Sequence, residues 1–78
     1  MFLCDGKVGH TYSVQNINLP SEIEKRLEAL GMTDGANISI LNRKGKGILI
    51  VKLRGTRFAL GFNVSKNIAV EDKRWVIN

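Results

Sequence analysis

Residues 24–41, EKRLEALGMTDGANISIL, constrain this chain more than any other segment. The first half carries the spacing of a helix and the second half that of a strand, with a glycine at the stop and another at the next turn. No linker fits between them, so a short helix must lie directly against β-structure. Ile23, Leu27 and Leu30 fall at i, i+4 and i+7, which predicts one apolar helix face. Ser21 and Glu24 have the spacing of a capping box, and Glu22 and Arg26 that of an i,i+4 ion pair on the solvent side. Gly31 stands where a left-handed C-terminal cap is expected, because it lacks the Cβ that penalises that conformation. Met32 then folds back on the helix, and Asp34-Gly35 supplies a turn.

The remainder reads as β. In residues 11–17, Tyr12 and Val14 alternate with Ser13 and Gln15, and Ile17 breaks the phase as a bulge or a strand end would. Residues 37–43 put Ile38 and Ile40 on one face. A basic loop, Lys44-Gly45-Lys46-Gly47, leads into residues 48–53, whose continuous apolar start predicts burial on both faces. Arg54-Gly55 is a compact hairpin turn, with return along residues 56–60. Residues 63–67 predict a helical turn and residues 68–70 a final short strand. Trp75-Val76-Ile77 is expected to add an edge strand or to cover the barrel. At 78 residues the chain is one domain, residues 1–78, with a thin core that buries roughly 60–65% of its unfolded surface. Five short strands with tight turns and one helix between the first and second predict a mainly β fold, a small and highly curved barrel.

Hydrophobic content of 44% with 24% charged residues makes the chain a folded one. Its longest strongly apolar run, residues 48–51, is far below the ~20 residues of a membrane span. Asp5 and Lys7 interrupt the start, so no secretory leader is expected. Cys4 is the single cysteine, which excludes an internal disulfide and favours a reducing, cytoplasmic setting. The net charge of +5 is unevenly spread. No acidic residue lies between Asp34 and Glu71, whereas Arg43, Lys44, Lys46, Lys52, Arg54, Arg57 and Lys66 all do. The strands therefore present a positive face suited to anionic partners.

Four segments in order, GHTYSVQNI, RLEALGMTDGANISILNRKG, ILIVKLRGTRFAL and NIAV, resemble the FeoA family. The resemblance spans residues 7–70, with residues 71–78 as a tail. Its most specific parts are Arg26-Leu27-x-x-Leu30-Gly31-Met32-x-x-Gly35 and Val51-x-x-Arg54-Gly55-x-x-x-Ala59-Leu60. The resemblance implies a small SH3-like barrel that acts as a cytoplasmic accessory protein of bacterial ferrous iron uptake. The implied partner is a FeoB-like membrane transporter with a GTP-hydrolysing cytosolic domain, which would bring the chain to the inner face of the membrane. Iron would be handled by that partner system, with no cofactor in this chain. A related barrel, the C-terminal domain of iron-dependent repressors, serves as an intramolecular docking module. The sequence departs from the family pattern at Gly45-Lys46-Gly47, where a proline is frequent, at Gly61-Phe62, where an arginine is, and in the Trp75 tail.

Cys4, His10 and Asp5 are a sparse donor set with no ligand spacing, and an ordinary cysteine and loop histidine are the simpler reading. Lys44-Gly45-Lys46-Gly47 lacks the Walker pattern and precedes a strand, which fits a solvated hairpin turn better than a phosphate cradle. No nucleophile stands with a base and an orienting group, so an enzyme is not expected. The competing reading is a basic barrel that binds RNA, against which stands the shortage of aromatic platforms: Tyr12, Phe58, Phe62 and Trp75 beyond Phe2. Arg26 reads either as a partner contact or as a helix-surface residue paired with Glu22. The expected docking surface joins the helix-to-strand corner, Arg26, Met32 and Thr33, to the basic hairpins at Lys44, Lys46 and Arg54. The chain is expected to be a monomer or a weak homo-oligomer.

Overall fold

The computed structural model describes residues 1–73. A short 3-10 turn, Leu3–Asp5, precedes β1 (Thr11–Ile17), α1 (Ser21–Ala29), β2 (Asn37–Lys44), β3 (Ile48–Leu53), β4 (Thr56–Leu60), α2 (Phe62–Ser65) and β5 (Ile68–Asp72). The strands form one antiparallel sheet in the order β4-β3-β2-β1-β5. The five strands match the expected barrel in number and sequence, but the sheet is open: among the described residues no pairing joins β4 to β5. The Trp75 tail lies outside the described residues. Among those described, no helix is long and apolar enough to cross a membrane.

The pleat sets the core. Tyr12 and Val14 of β1, Ile38 and Ile40 of β2, Leu49, Val51 and Leu53 of β3, Leu60 of β4 and Ile68 and Val70 of β5 are all buried on one side of the sheet. A bulge between Val14 and Asn16 inserts Gln15 as the extra residue and returns Ile17 to the core side, as its broken phase foretold. A second bulge between Ile40 and Asn42 inserts Leu41 as the extra residue of β2, and residues 42–44 beyond it are exposed. β3 is buried on one face and not on two: Ile48 is 41% exposed and Lys52 is exposed, while the three core residues alternate with them. Among the described residues nothing is layered on the outer face at Ile48 and Lys52, and an apolar run there is not enough to bury it.

α1 closes the core from one end, and here the expectations need three corrections. Leu27 is 5% exposed and Ile23 half-buried, but Leu30 is 41% exposed and does not belong to the packed face. Leu30 is the C-cap residue, where the helix already turns away. The capping box is not made either: Pro20 is the N-cap, without a side-chain cap, and the first turn is closed by the Glu24 N–H donating to the Pro20 carbonyl at 2.9 Å. Proline presets its own φ, so the helix begins at Ser21, one position earlier than the box requires. Glu22 and Arg26 form no ion pair with each other.

The helix end is as expected, and more complete. Gly31 is left-handed at φ 101°, the Met32 N–H donates to the Leu27 carbonyl and the Gly31 N–H to the Glu28 carbonyl, both at 2.9 Å. These are the two bonds of a Schellman motif, and its usual apolar contact is supplied by Leu27 and fully buried Met32. The Thr33–Ala36 turn follows, with Gly35 at φ 82°, and delivers β2 beside β1.

The N-terminal residues, left outside the family-like span of 7–70, are part of the fold. Leu3 is fully buried, Phe2 bridges to Ala69, and the Val70 N–H donates to the Met1 carbonyl at 2.8 Å. Arg43 clasps this segment: its guanidinium donates to the carbonyls of Gly6 at 2.6 Å and Cys4 at 3.3 Å.

Removing Leu27's side chain should open a core cavity, and Leu27→Ala is expected to cost about 2–5 kcal/mol on urea titration. Leu30→Ala is expected to stay within about 0.5 kcal/mol, as for other surface changes. Equal losses at the two positions would show that the helix face is misassigned.

Candidate functional site

The two motif blocks that are far apart in sequence meet at one corner of the molecule. Arg54 and Gly55, with φ 52° and 81°, form the two-residue turn of the β3–β4 hairpin, the paired left-handed geometry that matches strand twist. This turn sets the Arg54 side chain across Gly31, so closely that a Cβ on Gly31 would overlap it. Gly31 is therefore required by its φ, and the arginine lying over it would have to shift for any side chain there. The cationic Arg54 sits against the C-terminal end of α1, where the helix dipole and unpaired carbonyls favour positive charge. Arg26, in the last turn of the same helix, adds a second.

Of the expected docking residues, Arg26, Thr33 and Arg54 are exposed at this corner. Met32 is fully buried and is corrected here: its role is to anchor the corner from within, and it offers nothing to a partner. Lys44 and Lys46 are exposed, but at the other end of the β2–β3 hairpin. Ile38 pairs with Leu53 near the corner, and Lys44 pairs with Ile48 at the far end, six strand residues away. At strand rise this is about 20 Å. The structure thus splits the expected surface into two.

Beside the corner, β1 and α1 enclose an open groove of about 190 Å³. Its rim includes Thr33 and the carboxylates of Glu24, Glu28 and Asp34. The corner is therefore of mixed charge, acid in the groove and basic at Arg26 and Arg54. The sequence reading weighed only the basic part, because Glu24 and Glu28 are acids of a solvent-side helix until β1 is folded beside them.

The remaining chemistry-bearing residues are spread out. His10 stacks on Tyr12 with ring centroids 6.3 Å apart, and its Nδ1 is buried without a hydrogen-bond partner. Burial, reinforced by the charge of neighbouring Asp5, pushes the Cys4 thiol above its ordinary range. A thiol shifted in this direction is a weaker nucleophile at neutral pH than a free cysteine. Among the described residues, no group of three or more His, Cys, Asp or Glu side chains is placed to hold a metal ion. Among the described residues the aromatic side chains make no stacking row: Tyr12 is buried, Phe58 is packed against the core, and exposed Phe2 and Phe62 belong to different elements.

The contribution of Arg43 was not legible in sequence, where it counted as part of the positive face. Its two acceptors lie 37 and 39 positions away, and no local pattern signals a bond of that span.

Comparison with known proteins gives the following. The family model described as the FeoA domain matches residues 1–72. A comparison with curated proteins returns no match. The FeoA protein of Chlorobium tepidum superposes with a TM-score of 0.88 at 24% identity, over 94% of this chain and 70% of that one. A structure described as an iron uptake regulatory protein (FeoA) gives 0.83 at 28% identity, over 92% and 96%. The zinc complex of FeoA from Stenotrophomonas maltophilia gives 0.75 at 26% identity, over 91% and 89%. That last protein is described as a procaryotic SH3 domain protein, proposed to act as a ferrous iron transport activating factor.

The Cys4 environment makes a pH prediction. Because the folded thiol titrates above a free cysteine, alkylation of Cys4 by iodoacetamide at neutral pH should be slower than in the urea-unfolded chain. Its rate should climb to a plateau at a higher pH than the unfolded chain reaches. A folded rate equal to or above the unfolded one would contradict the assignment.

Proposed function

The chain belongs to the FeoA family, one associated with ferrous iron transport, and from that premise we propose that it is a non-catalytic accessory module docking on the cytosolic, GTP-hydrolysing domain of a FeoB-type transporter. One observation carries this reading. The two blocks that mark the family in sequence, around Gly31 and around Arg54, converge on a single exposed corner. Packing alone accounts for Leu27 and Met32, which are buried, but not for Arg26, Thr33 and Arg54, which are exposed.

The corner is suited to contact. A turn held by the Schellman bonds and by the Met32 anchor presents its side chains with little conformational entropy left to lose on binding. Mixed charge, with carboxylates in the groove and guanidinium groups beside it, favours one orientation of a partner over others. The RNA-binding reading is weaker: the lysines at residues 44 and 46 stand away from the corner, and among the described residues no row of exposed aromatic rings accompanies them.

Iron, on this reading, is the cargo of the transporter and is not held by this chain. Anaerobic calorimetric titration with ferrous or zinc ion should give no stoichiometric site. A site of unit stoichiometry abolished by Cys4→Ser or His10→Ala would assign metal binding to this chain instead.

Docking is tested with two exposed substitutions that leave the core alone, Arg26→Glu and Thr33→Arg. Together they should weaken binding to the isolated cytosolic domain of the transporter by about tenfold or more, a loss of the size expected at a contact centre, with thermal melting unchanged. The change Lys44→Glu with Lys46→Glu should have a much smaller effect on the same measurement. Unaltered affinity in the corner variant would remove the corner from the interface.

A further inference from the structure

The far end of the β2–β3 hairpin carries a feature that docking at the corner does not use. Phe62, the first residue of α2, lies against Gly47, where a Cβ would come within 3.0 Å of it. This contact brings α2 to the loop at residues 44–47. Phe62 is nevertheless 48% exposed, and Ile48, which follows the loop, is 41% exposed. Lys66 holds its ammonium 5.7 Å from the centre of the Phe62 ring, and Lys44 and Lys46 are exposed on the hairpin. A Cβ on Gly45 or Gly61 would meet nothing within 4 Å, so both glycines face open space. No acidic residue occurs between Asp34 and Glu71, so none belongs to these elements. The 3-10 turn that carries Asp5 packs against α2.

We propose that this end of the molecule rests directly on an anionic bilayer surface, with Phe62 and Ile48 entering the headgroup layer and Lys44, Lys46 and Lys66 meeting lipid phosphates. Charge complementarity selects the occupant. Large apolar side chains flanked by lysines, with no acid among them, make up the composition of an interfacial membrane contact. The shape agrees. The exposed apolar residues do not line the groove, which is elsewhere and includes Glu24, Glu28 and Asp34. The cations are lysines, whose compact charges on flexible stems follow mobile phosphates without a fixed bidentate geometry. The Lys66 ammonium over the Phe62 ring lets both approach the interface together.

This inference is independent of transporter docking, because it is tested without any protein partner. Purified full-length chain is sedimented with vesicles of phosphatidylcholine containing phosphatidylglycerol, and with vesicles of phosphatidylcholine alone. Binding is expected to the anionic vesicles only, and to fall as salt rises. Each lysine at the surface is worth roughly a fivefold gain in partition, so Lys44→Gln, Lys46→Gln and Lys66→Gln together should lower it on the order of a hundredfold. Phe62→Ala should lower it several-fold with the far-UV spectrum and melting unchanged. A control that removes equal charge elsewhere, Lys25→Gln, Lys52→Gln and Arg57→Gln, should retain most of the binding. Absence of binding to anionic vesicles would overturn the proposal, as would an equal loss in the control, which would leave net charge alone as the cause. Capture of the chain by single-stranded RNA with no vesicle binding would also overturn it.

Discussion

The Met32 N–H donates to the Leu27 carbonyl across a left-handed Gly31, and the rest of the molecule depends on that reversal. It ends α1 in a single residue, drives Met32 into the core, and places the Thr33–Ala36 turn so that β2 begins beside β1. A side chain at position 31 would strain the backbone by about 1–2 kcal/mol. It would also displace Arg54, which ties the β3–β4 turn to the helix end. One missing Cβ thus serves both the local conformation and a contact between distant parts of the chain.

Much of the fold was legible because short strands over one core leave a simple period. Tyr12 and Val14, Ile38 and Ile40, and the Arg54-Gly55 turn were readable residue by residue, and so was Gly31 as a cap. What failed did so for physical reasons. Leu30 has helical spacing but sits where the helix has ended, and periodicity does not register its own boundary. Ser21 and Glu24 match a capping box, yet Pro20 fixes the entry one residue earlier. Ile48 sits in an apolar run that implied two buried faces, but among the described residues the outer face of the sheet has no second layer. The candidate site was half legible: the corner residues were found, while the separation of Lys44 and Lys46 from them required the strand register. Leu3, Gly6 and Arg43 were missed because a clasp across 37 positions has no sequence signature.

The open sheet raises the question of its edges, since an unpaired strand invites pairing with other chains. The β5 edge is partly covered from within the molecule: Phe2 bridges to Ala69 and Met1 accepts from Val70. Gly6 makes this possible. It is buried, and a Cβ there would run into Tyr12 and Ile40, so the N-terminal segment can pass close over the core only at a residue without a side chain. Arg43 then holds the segment down. The far edge, β4, carries exposed Thr56 and Arg57, polar residues of the kind that discourage edge-to-edge association.

The pairing of β1 with β5 brings together residues such as Val14 and Val70, a separation of 56 positions, the same span that Gln15 and Glu71 bridge. The β2-β3-β4 meander, by contrast, is made of neighbours joined by tight turns. Closing the longer loop costs chain entropy before any contact rewards it, so the meander can form early while the β1–β5 seam comes last. On a ribosome this imposes an order of events. β1 emerges first but waits for almost the whole chain to be synthesised before its outer edge is covered. Until then Tyr12 and Val14 remain without their final neighbours, and a nascent chain stalled before Ile68 holds an incomplete core for cellular quality control to detect.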